Sequence, residues 1–174
     1  MMEIKQLKPT DYKNKKLKVS YYTTGYYAIT RSEIGFEINY VSFENPIEKS
    51  FEDVFFSDWL EDPLGFGAFE NDQMIGYVEG SLEAWNNRFR ISNLCVFDSQ
   101  KRNQGLGSQL MVKIVEEAKK TKARMIVLET QSCNEKAIAF YKKHGFEIIG
   151  FDLYAYSNDD PKLHEVRIEM GKKL

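Results

Sequence analysis

The run Ile91-Ser92-Asn93-Leu94-Cys95-Val96-Phe97 leads through Asp98-Ser99-Gln100-Lys101-Arg102-Asn103-Gln104 into Gly105-Leu106-Gly107-Ser108 and onward into a helical pattern. In that pattern Leu106, Leu110, Ile114 and Ala118, with Met111 and Val115 alongside, recur on one face, while Gln109, Lys113, Glu116, Lys119 and Lys120 fall mainly elsewhere. A strand, a glycine turn and an amphipathic helix in direct succession predict an α/β fold with helices packed on a sheet. The strand breaks alternation and carries apolar residues on both faces near its end, as expected in the middle of a covered sheet. The junction also gathers unpaired backbone N–H groups at the positive end of a helix dipole, which suits phosphate. Gly105 and Gly107 permit close approach and Arg102 adds a fixed charge. Taken alone, such glycines serve turn geometry as readily as phosphate. A P-loop needs a lysine before the serine that follows its last glycine, and a dinucleotide fingerprint needs a third glycine; neither is present, which disfavours ATP and NAD.

At 174 residues, the chain is expected to form one domain spanning 1–174. Lys plus Arg (24) nearly balances Asp plus Glu (26), for a net charge of -2, which argues against a nucleic-acid binder with a basic stripe. Met1-Met2-Glu3-Ile4-Lys5 has neither a signal-peptide apolar region nor an Arg-rich transit pattern, and no membrane span is read. Cys95 and Cys133 stand apart without a CxxC pattern, consistent with reduced thiols in the cytoplasm and with packing rather than acyl transfer. His144 and His164 are too few and too isolated for a metal site, and no activated nucleophile suggests a triad.

Residues 3 to 7, Tyr21 to Thr30 and Gly35 to Phe43 read as strands, and Phe51 to Leu60 as a helix with Phe51, Val54, Phe55 and Trp59 near one face. The acids of that segment, Glu52, Asp53, Asp58, Glu61 and Asp62, form either a solvated face or a wall attractive to a cation. Ala68-Phe69-Glu70, Asn71-Asp72 and Met74 to Leu82 read as a hairpin. Met125 to Thr130 is a further strand. A short helix then runs from about Glu135 to Lys143, ended by Gly145, with Ser132/Glu135 spaced as a capping box and Asn134 as an alternative N-cap. Tyr141, seven residues after Asn134, returns to nearly the same face roughly 10 Å along the axis. Phe146 to Tyr156 and Leu163 to Met170 are expected to be strands joined by Ser157-Asn158-Asp159-Asp160-Pro161.

Arg102-x-x-Gly105-x-Gly107 opening a helix, a strand, and then Asn134-x-x-Ala137-x-x-Phe140-Tyr141-x-x-x-Gly145-Phe146 together resemble the signature of the GNAT superfamily of N-acetyltransferases, from about Gly67 to Phe151. Within it, Trp85-Asn86, Leu128-Glu129-Thr130-Gln131, Asn134, Phe140-Tyr141, Gly145-Phe146 and Asp152 resemble the streptothricin acetyltransferase branch. The resemblance implies a mixed α/β (α+β) fold: a twisted, mostly antiparallel sheet with a splayed central strand pair and helices on both faces. It also implies acetyl-CoA as cosubstrate. Its pyrophosphate would lie on Arg102, Asn103, Gln104, Gly105, Leu106, Gly107 and Ser108, and its pantetheine arm on Asn134 and beside Leu94, Cys95 and Val96. A backbone N–H there would polarise the thioester carbonyl. Tyr141 would protonate the departing thiolate.

The acceptor implied is a primary amine of a small cationic molecule, streptothricin first, with antibiotic inactivation as the consequence. A polyamine, another aminoglycoside-like amine, a protein N-terminus, or CoA binding without turnover are the alternatives. An amine of pKa about 10.4 is neutral only about once in a few thousand molecules at neutral pH, so a proton acceptor is required. Where the streptothricin branch commonly carries an acidic pair on the central strand, this chain has Ser92-Asn93. Glu79, Glu83, Glu129 and Asp152 are the carboxylates considered, with Glu129 and Glu83 preferred. Trp85, Tyr154, Tyr156 and the acids Asp58 to Asp62 are expected around the acceptor. Members of this fold class often pair by exposed edges; the sequence leaves a homodimer open.

Overall fold

A computed structural model describes residues 2–97 and 104–174 of the chain. The chain forms two compact units: one of residues up to Val19, Phe51–Leu128 and Lys172–Leu174, the other of Ser20–Ser50 and Glu129–Gly171.

In the first unit, β1 (Glu3–Gln6) lies antiparallel to β4 (Leu64–Glu70), from Glu3↔Phe69 to Gln6↔Phe66. β4 turns into β5 (Gln73–Glu83) through Asn71 and Asp72, whose φ values of 51° and 60° are the left-handed pair of a tight hairpin. β5 pairs antiparallel with β6 (Arg88–Val96), from Glu83↔Arg88 to Gly76↔Val96. The register shifts where Glu79↔Asn93 gives way to Gly80↔Ile91, so Ser92 is the extra residue of a β-bulge. Gly80 is required opposite it, because a Cβ there would lie 2.5 Å from the Arg90 carbonyl oxygen and from the Phe89 ring. β6 then pairs in parallel with β7 (Met125–Gln131), from Arg88↔Met125 to Ile91↔Leu128, and itself runs on to Val96. The two central strands thus pair at one end only, as a splayed pair does.

α2 (Leu106–Lys120) buries Leu106, Leu110, Met111, Ile114 and Ala118, the stripe its periodicity prescribes, and packs on β5 and β6. Leu7, Leu17, Phe55, Phe56, Tyr77 and Cys95 form a second apolar cluster. A four-residue turn of helix, α1 (Pro9–Tyr12), follows β1 and contributes Tyr12 to that cluster.

Three expectations are corrected. Phe51 to Leu60 is not a helix: β3 runs from Phe36 to Val54 and pairs with β2 (Lys16–Arg31) in a two-stranded ribbon. The ladder continues into Phe55 N–H to the Lys15 carbonyl at 2.9 Å, and long-range pairing overrides the helix-like spacing of Phe51, Val54 and Phe55. Trp59 is 65% exposed rather than part of an apolar face. Burial does alternate along β6, with Phe89, Ile91, Asn93 and Cys95 inward. The polar Ser92 and Asn93 had obscured that alternation.

In the second unit, α3 (Glu135–Lys143) starts at Asn134 and ends at Gly145, whose φ is 82°. The third correction lies downstream. β8 stops at Asp152 (Glu147–Asp152) and β9 (Arg167–Lys173) begins late, so Tyr154 and Tyr156 lie outside a strand. Asp160 is the cause: buried, it accepts hydrogen bonds from Tyr156 N–H (2.8 Å) and Ser157 Oγ (2.7 Å) and opens a short helix, α4 (Asp160–Leu163). β8 and β9 are antiparallel, from Glu147↔Gly171 to Asp152↔Arg167. Ile138, Tyr141, Phe146, Val166, Ile168 and Met170 are buried. No described helix is long and apolar enough to cross a membrane.

Candidate active site

Within the first unit, the bulge at Ser92 makes the middle of β6 a polar centre. Glu79 is fully buried, yet it accepts four hydrogen bonds. Phe56 N–H (2.9 Å) and the Tyr77 hydroxyl reach Oε2, and Ser92 Oγ (3.3 Å) and Asn93 Nδ2 (2.9 Å) reach Oε1. A carboxylate has about four acceptor positions, so Glu79 is filled, which is how its burial is tolerated. The Tyr77 phenol is pushed well above its usual range, first by burial and then by the Glu79 charge, so it remains a donor. Asn93 Nδ2 also donates to Asp53 Oδ2, 3.0 Å away. Past this centre, Leu94, Cys95 and Val96 pair with Val78, Tyr77 and Gly76.

On the same unit, Gly105 is the N-cap of α2, with φ 85° and no side-chain cap hydrogen bond. A Cβ at Gly105 would meet nothing within 4 Å, so the glycine is needed for its left-handed backbone rather than for space. The N–H groups of Leu106, Gly107 and Ser108 open the helix without a side-chain cap, the condition in which a phosphate group can take that place. This fits a pyrophosphate-bearing cosubstrate. Gln104 is exposed; Arg102 and Asn103 lie outside the described residues.

Glu83, at the end of β5, is claimed by two guanidiniums: Arg90 Nε at 2.6 Å and an Arg88 terminal nitrogen at 3.2 Å, with Asn86 Nδ2 at 3.1 Å. Burial is the largest single influence on its carboxyl and pushes the pKa up, but Arg90, Asn86 and Arg88 together hold it below the ordinary range. Its geometry is that of a clamp on the β5–β6 end. Trp85 beside it is 83% exposed, with the Arg88 guanidinium 6.0 Å from its ring.

In the second unit, Asn134 is the N-cap of α3, its Oδ1 accepting from Ala137 N–H at 3.3 Å. Of the two caps the spacing allowed, this is the one used; Ser132 Oγ instead donates to the His164 carbonyl at 2.9 Å. Tyr141 follows two turns later, 8% exposed, its ring 5.6 Å from Phe140 and 6.1 Å from Phe146. Glu129 accepts from the Tyr156 hydroxyl (3.2 Å) and lies 3.6 Å from Arg167, which also reaches Asp152 at 3.8 Å. Cys133 is buried beside the Tyr21 hydroxyl at 3.4 Å, and burial pushes its thiol up, away from nucleophilic use. Glu135 ties the ribbon to α3, accepting from Thr24 N–H, Thr24 Oγ1 and the Tyr40 hydroxyl.

Sequence reasoning passed over Tyr77, and it placed Asp53 on a helix. Among the described residues, no group of three or more His, Cys, Asp or Glu side chains gathers as a metal site.

The model of the acetyltransferase (GNAT) family matches residues 33–146. Streptothricin acetyltransferase A of Bacillus subtilis strain 168 is 29% identical over 141 residues, covering 73% of this chain and 80% of the relative. The crystal structure of nourseothricin acetyltransferase superposes with a TM-score of 0.79 at 27% identity, covering 99% of this chain and 98% of the other. A Bacillus anthracis strain Ames protein provisionally assigned as a streptothricin acetyltransferase, solved with acetyl coenzyme A, gives 0.73 at 25% identity, with 100% and 98% covered. With the α2 N-terminus, the bulged β6 and the parting of β6 from β7 already in place, these matches carry the conclusion: the chain belongs to the GNAT family and is an N-acetyltransferase that uses acetyl-CoA.

Proposed function

We propose that the protein transfers the acetyl group of acetyl-CoA to a primary amine of a small cationic acceptor, with streptothricin as that acceptor and antibiotic inactivation in the cytoplasm as the result. The observation that carries this reading is the extent of the similarity. The nourseothricin acetyltransferase match covers 99% of the chain, including the long β2–β3 ribbon. The family match at 33–146 draws on both compact units, which supports a single acetyltransferase domain over residues 1–174.

Acetyl-CoA supplies an activated thioester. The chain's residues do the rest. The α2 N-terminal N–H groups from Gln104 to Ser108, with Arg102 and Asn103, hold the pyrophosphate by dipole and hydrogen bonds. Leu94 to Val96 offer backbone N–H to the thioester oxygen, and Asn134, its Oδ1 committed to the helix, offers Nδ2 to the pantetheine arm. Tyr141 donates its phenolic proton to the departing sulfur, buried enough to exclude competing water. Glu129 is preferred over Glu83 as proton acceptor, because two arginines and an asparagine hold Glu83 as an occupied carboxylate below its ordinary range.

The test is thiol release from acetyl-CoA by the purified protein with streptothricin, spermidine, lysine and a peptide N-terminus in parallel. Turnover of streptothricin well above the others is the expected result. Preferred turnover of the peptide or of spermidine would retain the chemistry and overturn the acceptor.

A further inference from the structure

An enzyme that takes a cationic amine needs negative charge beside the acetyl group, and Ser92 and Asn93 hold none. We propose that Asp53, near the end of β3, supplies it by binding the ammonium of the acceptor amine; this rests on the acetyltransferase reading above.

The carboxylates differ in what already occupies them. Glu79 is sealed from solvent with four donors on its two oxygens. Glu83 and Glu129 each face arginine. Asp53 is half-buried, and it accepts two hydrogen bonds, both from neutral donors: Val54 N–H to Oδ1 at 2.8 Å and Asn93 Nδ2 to Oδ2 at 3.0 Å. Among the described residues it has no ion-pair partner. About two of its acceptor positions remain for an ammonium, and a partly desolvated carboxylate favours such a counter-charge.

Asn93 explains why the charge sits on β3. Its single amide nitrogen lies 2.9 Å from Glu79 Oε1 and 3.0 Å from Asp53 Oδ2. An aspartate at 93 would set a third carboxylate against these two, at hydrogen-bond distance and with no proton to share. The amide instead donates to both and aims Asp53 at the bulge in β6. The β2–β3 ladder, closed by Phe55 N–H to the Lys15 carbonyl and Asn14 N–H to the Phe55 carbonyl (2.8 Å), holds the backbone next to Asp53 in place. The acid missing from the central strand is thus carried by β3, a strand of the separate two-stranded ribbon.

Steady-state kinetics of the full chain as wild type, Asp53→Asn and Asp53→Glu test this, using the best cationic acceptor of the panel above and hydroxylamine, an amine that is neutral at the assay pH. Asp53→Asn is expected to raise KM for the cationic acceptor roughly 10- to 100-fold, the loss of one charge-assisted contact. KM for acetyl-CoA and transfer to hydroxylamine should stay within about twofold of wild type, and Asp53→Glu should recover part of the cationic-amine KM. An unchanged KM, or equal losses with both acceptors, would overturn the assignment and reduce Asp53 to a structural anchor. A wild type that acetylates hydroxylamine but no cationic amine would refute the proposed function itself, and the role of Asp53 with it.

Discussion

In the proposed reaction, the α2 N-terminus and the polar centre around the β6 bulge would serve the cosubstrate and the acceptor in opposite ways. At Gly105 the useful groups are backbone N–H donors, and the only side-chain requirement is the absence of a Cβ at φ 85°. At the bulge the useful groups are side chains, Glu79, Asn93 and Asp53, each dependent on the others' hydrogen bonds. A backbone-built site keeps its form under wide sequence change, because peptide groups are always present. A side-chain site can move its charge from strand to strand, provided the neighbours supply donors. This is why the glycine turn before α2 is legible in the sequence and the pairing of Asp53 with Asn93 is not.

The largest expected effect breaks that contrast at its most chemical point. Tyr141→Phe should lower kcat by about 10²- to 10⁴-fold while the affinity for acetyl-CoA holds, since only a proton donor is removed. A rate near wild type would remove Tyr141 from the chemistry. Next, Glu79→Leu strands Tyr77, Asn93 and the Phe56 N–H, and should cost about 3 kcal/mol of stability in urea unfolding. An unchanged midpoint would mean that the centre is not the structural keystone its burial implies. Gly105→Ala sharpens the other side: forcing a Cβ into the left-handed region costs about 1–2 kcal/mol. KM for acetyl-CoA should rise with little change in KM for the amine, and the reverse split would contradict the division of labour.

The smallest effect concerns pH. The Glu83 carboxyl is lower in the folded than in the unfolded chain, so its contribution is complete above the unfolded value of 4.5 and fades as pH falls through the folded one. Glu83→Gln should therefore be less acid-sensitive than wild type by about 1 kcal/mol, read from thermal melts between pH 7 and pH 3.

Short-range features were legible in the sequence. Asn71-Asp72, the α2 stripe, the Asn134 cap and the Gly145 stop each depend on residues within a few positions of one another. Residues 51–60 were not, because Phe51, Val54 and Phe55 meet a helical spacing by coincidence, while the partner that makes them a strand, β2, lies far back in the chain. The sequence placed Asp53 among acids that could attract a cation, but its setting beside Asn93 comes from a hydrogen bond between residues 40 positions apart. The strand expected through Tyr154 and Tyr156 failed for a similar reason: tyrosines favour strands, but the buried Asp160 draws Tyr156 N–H into a turn.

The proposed activity that most needs testing is the acetylation of streptothricin. Mass analysis of streptothricin after incubation with the protein and acetyl-CoA tests it most directly. The expected product carries one added acetyl group on a primary amine and forms only when both protein and acetyl-CoA are present. Unmodified streptothricin, under conditions where the protein acetylates another amine, would contradict it.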